Sequence, residues 1–128
     1  MIDSAQMKQR LHDYIELFNR RDHEGVAALY ADDAVLEDPV GRPPIQGRDK
    51  ILAFYKAAMA NGAQLKLAAP VRGSHGNGAA MAFDVLLDTP QGKGTIHVID
   101  VMRFNEAGKI VSMSAYWGQS DMAFQPHG

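Results

Sequence analysis

The chain of 128 residues has no cysteine. Disulfides, thiolate nucleophiles and Cys-ligated metals are therefore excluded. Charge of one sign is also lacking: 13 Lys and Arg against 15 Asp and Glu leave a formal net charge of −2. That balance gives no electrostatic case for nucleic acid or an anionic membrane surface as partner. No apolar run approaches the ~18 residues of a membrane span. The opening residues, Met1 to Gln6, show no apolar leader core, so a cytoplasmic protein is expected. Five histidines, His12, His23, His75, His97 and His127, show no metal-ligand spacing, so no metal is expected. Gly73, Gly76 and Gly78 do not form G-x-G-x-x-G and read as turn glycines. A nucleophile elbow of the G-x-S-x-G kind is missing too.

What is present is a change of period. With Ser4 as N-cap, Met7, Leu11, Tyr14, Ile15 and Phe18 fall on one stripe of a helix. Asp22 can cap a second, short helix with Val26, Leu29 and Tyr30 on one face. Residues 34–38 read as extended, because Pro39 biases Asp38 away from the α region. Residues 41–47 are a loop by composition, and a third helix carries Ile51, Phe54, Tyr55 and Ala58 on one side. After Gly62 the period becomes 2, with strands expected at 64–72, 79–87, 94–104 and 110–117, separated by Gly- and Asn-containing turns. Residues 120–128 carry no such pattern and are expected as a tail that could be flexible. One α+β domain spanning residues 1–128 is expected, a curved antiparallel or mixed sheet wrapped around three N-terminal helices.

The oddity is Asp100, set in His97-Val98-Ile99-Asp100-Val101-Met102-Arg103-Phe104. Alternation puts Val98, Asp100 and Met102 on one face and His97, Ile99, Val101 and Arg103 on the other. If Met81, Phe83, Val85, Leu87, Val111, Met113, Ala115 and Trp117 share the first face, Asp100 is an acid in an apolar pocket. Such a carboxyl stays protonated near neutral pH and donates a hydrogen bond. Tyr14, on the buried helical stripe, is a second donor, and two donors aimed at one oxygen make an oxyanion hole. Asp38 supplies a carboxylate able to accept a proton from carbon. On residue types alone the plain readings stand beside these. Asp100 could pair with Arg103 or His97, Asp38 before proline is a common turn former, and Tyr14, Tyr30, Tyr55 and Trp117 are ordinary core residues.

The stretch from Tyr30 to Arg48 (YADDAVLEDPVGRPPIQGR), together with Tyr14-Ile15-Glu16-Leu17, Ala53-Phe54-Tyr55, Val98-Ile99-Asp100-Val101-Met102-Arg103-Phe104 and Ala115-Tyr116-Trp117, resembles the bacterial ketosteroid isomerases over roughly residues 7 to 118. A carboxyl kept neutral in an apolar site is that family's own known device. The resemblance implies the cone-shaped α+β barrel of nuclear transport factor 2 and a homodimer formed through the outer face of the sheet. It implies a cofactor-free reaction on a hydrophobic 3-ketosteroid that moves a double bond from C5–C6 into conjugation at C4–C5. It makes Asp38 the general base, Tyr14 and Asp100 the oxyanion-hole donors, and Tyr30 and Tyr55 a hydrogen-bonded support behind Tyr14. Trp117 would flank the base, and Phe54, Phe83, Val98, Met113 and Trp117 would contact substrate. Dehydratases, cyclases and epoxide hydrolases share the fold and would use a His-centred or Asp-Arg-Asp arrangement. A non-catalytic module binding a hydrophobic ligand is the remaining alternative.

Overall fold

The structure, a computed structural model, describes residues 2–127. Three helices precede most of the sheet: α1 (Ser4–Asn19), α2 (His23–Ala28) and α3 (Arg48–Ala60). Strand β1 (Tyr30–Glu37) and the short β2 (Ile45–Gln46) lie between α2 and α3. Then come β3 (Gln64–Leu67), β4 (Gly78–Thr89), β5 (Gly92–Phe104) and β6 (Ile110–Tyr116), a 3₁₀ turn (Gln119–Asp121) and β7 (Met122–Pro126). The seven strands form one curved sheet in the order β2-β1-β6-β5-β4-β3, with β7 added to β5. It is mixed, since β1 runs parallel to β6 while the other pairings are antiparallel. The sheet is not closed, so the expected barrel is an open cone around the helices.

The helical stripe read from the sequence is the buried one. Met7, Leu11, Tyr14 and Phe18 of α1 and Ile51, Tyr55 and Met59 of α3 pack into a common core with Leu36, Met81, Met102, Ile110 and Met113 from the sheet. Several elements differ from expectation for physical reasons. The N-cap of α1 is Asp3, whose Oδ1 accepts from Gln6 N at 2.8 Å while Gln6 Oε1 accepts from Asp3 N at 2.9 Å. This reciprocal capping box outcompetes Ser4. Accordingly, Asp3→Ala should cost about 1 kcal/mol in urea unfolding and Ser4→Ala much less. A larger loss from Ser4→Ala would reverse the assignment.

Tyr30 opens β1 rather than continuing α2. It pairs in parallel with Ile110, and its carbonyl accepts from Arg48 Nε and Nη2 at 3.1 and 2.7 Å. Strand β3 stops at Leu67, short of the expected residue 72, and Pro70 cannot donate to a ladder. Residues 122–126, expected in the tail, pair with Gly92–Ile96 of β5. Among the described residues, no helix is long and apolar enough to cross a membrane.

Candidate active site

The long strand β5 sets the site. Its burial alternates as the period predicts, with Val98, Asp100 and Met102 buried while His97, Ile99 and Arg103 are exposed. Asp100 pairs with Met81 on β4 and Ala115 on β6, so its same-face neighbours across both ladders are apolar. The irregularity between β5 and β6 falls at Arg103 and Phe104, beyond the acid, and leaves its inward orientation intact. Asp100 is 1% exposed, and neither carboxyl oxygen has a hydrogen-bond partner among the described residues. His97 instead bonds Asp84 through Nδ1 at 2.6 Å on the outer face, and Arg103 points outward. Neither partners Asp100.

Above this acid lies a cavity of about 250 Å³. Asp100 and Val98 line its β5 side, Phe83 and Val85 its β4 side, Tyr14 and Phe18 come from α1, and Phe54 and Tyr55 from α3. Asp38, Arg42 and Trp117 complete another part of the wall. Tyr30 sits behind the wall, fully buried. Met113 does not line the cavity. It pairs with Met102, one inward step further along the strands than the Asp100–Ala115 pair, and is buried in the core beneath. Leu87 lines the cavity as its place on the inward face implies, whereas Ile96, Leu65 and Asn61 line it without having been singled out. Of these three, Ile96 was legible as an inward-facing strand position.

Three tyrosines form a chain. Tyr55 Oη lies 3.0 Å from Tyr14 Oη and 2.6 Å from Tyr30 Oη, all buried. In the geometry present, Tyr14 donates to Tyr55. A hydroxyl both donates and accepts, so the opposite direction, Tyr30 to Tyr55 to Tyr14, turns the Tyr14 proton toward the cavity. Burial is the main force raising the Tyr14 phenol well above its ordinary range, followed by the Asp100 charge, so it remains a neutral donor. Burial also lifts Asp100 far above the ordinary aspartate range, helped by the negative charge of Asp38. Asp38 is half-buried, and its Oδ1 accepts from Trp117 Nε1 at 2.8 Å. Desolvation raises its pKa, opposed by that hydrogen bond and by Arg42. The cavity thus holds two carboxyls in different environments, one without any polar partner and one hydrogen-bonded. This is an arrangement suited to a neutral donor and an ionised acceptor. Among the described residues, no group of three His, Asp or Glu side chains is placed to hold a metal.

The SnoaL-like domain family matches residues 11–113. The chain belongs to that family. The chain is 38% identical over 123 residues to the steroid Delta-isomerase of Nocardioides simplex, covering 96% of this chain and 98% of that protein. At that identity and coverage the protein is an enzyme of the isomerase class. The epoxide hydrolase LasB of Streptomyces lasalocidi is 28% identical over 116 residues, 88% of this chain but 41% of that longer protein. Among solved structures, the epoxide hydrolase/cyclase-like enzyme SalBIII, of pyran ring formation in the polyether salinomycin, superposes with a TM-score of 0.89. It covers 98% of this chain and 100% of its own, at 23% identity. That likeness fixes the fold alone.

Proposed function

We propose that the protein isomerises 5-ene-3-ketosteroids to their conjugated 4-ene isomers. The observation that carries this reading is Asp100, a fully buried carboxyl with no polar partner among the described residues, on the wall of an apolar cavity shared with Tyr14 and Asp38. A buried polar group left unpaired is costly, and a ligand oxygen is the partner that relieves it. In this reading Asp38, as carboxylate, removes the C4 proton of the bound ketone. The electrons move onto the 3-oxygen, and the resulting dienolate accepts hydrogen bonds from the Tyr14 phenol and the protonated Asp100. Asp38, now carrying the proton, delivers it to C6, and the carbonyl re-forms in conjugation with the C4–C5 double bond. Tyr55 and Tyr30 support Tyr14 from behind, and Phe54, Phe83, Val98 and Trp117 hold the hydrocarbon skeleton and exclude water. No cofactor enters these steps.

The same reading makes the protein a homodimer. The outer sheet face exposes Leu86, Ile99 and Tyr116, with Ile99 and Tyr116 as register partners, a surface suited to a second copy.

The test is direct. Given a 5-ene-3-ketosteroid, the protein should generate the ultraviolet absorbance of a conjugated enone, and no gain of absorbance above the uncatalysed rate refutes the proposal. Epoxide hydration is the second reading, favoured by the LasB relative. It predicts instead uptake of one water by an epoxide substrate, seen as a mass gain without an enone.

A further inference from the structure

Among the described residues, Arg42 is the only cation lining the cavity. The loop that carries it is anchored to the sheet: Val40 N donates to Ala115 O at 2.8 Å, and Arg42 N donates to Pro39 O at 3.2 Å. Pro43 and Pro44 follow directly and restrict the chain behind it. The guanidinium carbon lies 5.5 Å from the centroid of the Trp117 ring, within the range of a cation–π contact. That same indole donates its Nε1–H to Asp38. The ion pairs among the described residues are Arg20–Glu16, Arg48–Asp32, His97–Asp84 and His127–Asp88, so Arg42 is committed to no other carboxylate there.

The three groups therefore stand in series: carboxylate, indole edge, and cation on the indole face. A cation over the ring holds its plane in place and polarises the N–H into a stronger donor toward Asp38. The positive charge also favours the ionised carboxylate directly. Asp38 needs such help, since a base in an apolar cavity is pushed toward its neutral form. Sharing the cavity wall with it are the titratable groups Asp100 on β5, Tyr14 on α1 and Tyr55 on α3, and burial keeps all three neutral near neutral pH. Arg42 is then the one formal charge on the described cavity wall that acts on Asp38, in the direction of ionisation.

We propose that Arg42 is a positioning residue: stacked on Trp117, it fixes the indole N–H on Asp38 and keeps that carboxylate ionised inside the apolar cavity. The inference rests on Asp38 being the base of the proposed reaction. Its consequence is a wider working range, because a larger fraction of the enzyme carries the ionised base on the acid side of neutrality.

The test is a carboxyl-carbon NMR titration of the ligand-free protein, with the Asp38 signal identified by its loss in Asp38→Asn. Arg42→Gln should raise the Asp38 midpoint by on the order of half a pH unit, and Arg42→Lys should return part of that shift. In the unaltered protein, raising salt from about 0.01 M to about 1 M should move the midpoint in the same upward direction, and less so in Arg42→Gln. An Asp38 midpoint that is unmoved or lowered in Arg42→Gln overturns the inference. The acid limb of kcat/KM should follow the NMR midpoint, whereas a purely structural role would lower activity at every pH without moving the limb. Failure of the unaltered protein to form enone removes the isomerase reading alone, and an unmoved midpoint removes the role of Arg42 alone.

Discussion

Asp38→Asn should lower kcat by about 10²–10⁴-fold, the usual scale for a positioned general base, while steroid affinity changes little. The substitution is nearly isosteric, and the amide oxygen of the new side chain can still accept from Trp117 Nε1, which lies 2.8 Å from Asp38 Oδ1 in the unaltered protein. The cavity wall therefore survives, and what is lost is the basicity of the carboxylate that takes the proton. Because Trp117 is the only tryptophan of the chain and lines the cavity, its fluorescence reports steroid binding without reference to turnover. A variant that binds normally and does not turn over fits the base. One that turns over within tenfold of the unaltered enzyme does not.

The plain role predicts a different outcome. If Asp38 were chiefly a turn former, Asp38→Asn would spare the rate, because Asn supports the same turn. A half-buried carboxylate whose pKa is raised by desolvation is strained toward its neutral form, so replacing it by a neutral amide should leave stability near neutral pH unchanged or improved. The acid limb of kcat/KM should also lie above the ordinary aspartate range, since ionisation of Asp38 in the free enzyme sets it.

The parts of this site that were legible in the sequence are those fixed by short-range pattern. Asp100 was placed on the inward face by period-2 alternation over Val98 to Met102, and its ladder neighbours Met81 and Ala115 are what that alternation brings alongside. Tyr14 and Tyr55 were readable as buried because Leu11 and Phe18 share the stripe of the first, and Ile51, Phe54 and Ala58 that of the second. Asp38 entered as a candidate proton acceptor on residue chemistry, and the resemblance to ketosteroid isomerases, not the pattern, made it the base of one site with these. What pattern could not reach depends on contacts between distant segments. Tyr30 is a strand residue because Ile110 pairs with it, eighty positions away in sequence. Met113 turned inward as the alternation required, but inward at that level is solid core rather than cavity. Arg42 looked like loop composition, since its meaning depends on Trp117 arriving from the end of β6. Strand β7 had no signal because its side chains stay largely exposed and its pairing rests on backbone bonds to β5.

Removing either oxyanion donor is the second large effect. Asp100→Ala and Tyr14→Phe should each cost about 10²–10³-fold in kcat, near 2.7–4 kcal/mol of transition-state stabilisation, the usual scale for one such donor. The double variant should lose less than the product of the two, because both donors converge on one oxygen and each removal changes what the other does. Full multiplicativity would mean that the two act on different atoms. Asp100→Asn is the discriminating partner, since its amide can still donate and should retain more activity than Asp100→Ala. Its stability carries the sign of the protonation argument. The folded protein holds a proton on Asp100 that the unfolded chain releases above about pH 4. The contribution of Asp100 is therefore fully present below that pH and is lost as pH rises toward the raised folded value. Asn at this position does not titrate, so the unfolding free energy of Asp100→Asn should gain on the unaltered protein by about 1.4 kcal/mol per pH unit across that window. Chemical unfolding at a series of pH values measures the gap. A gap that stays constant would mean that Asp100 ionises in the folded protein as an ordinary aspartate does, and a carboxylate with no proton cannot donate to a dienolate.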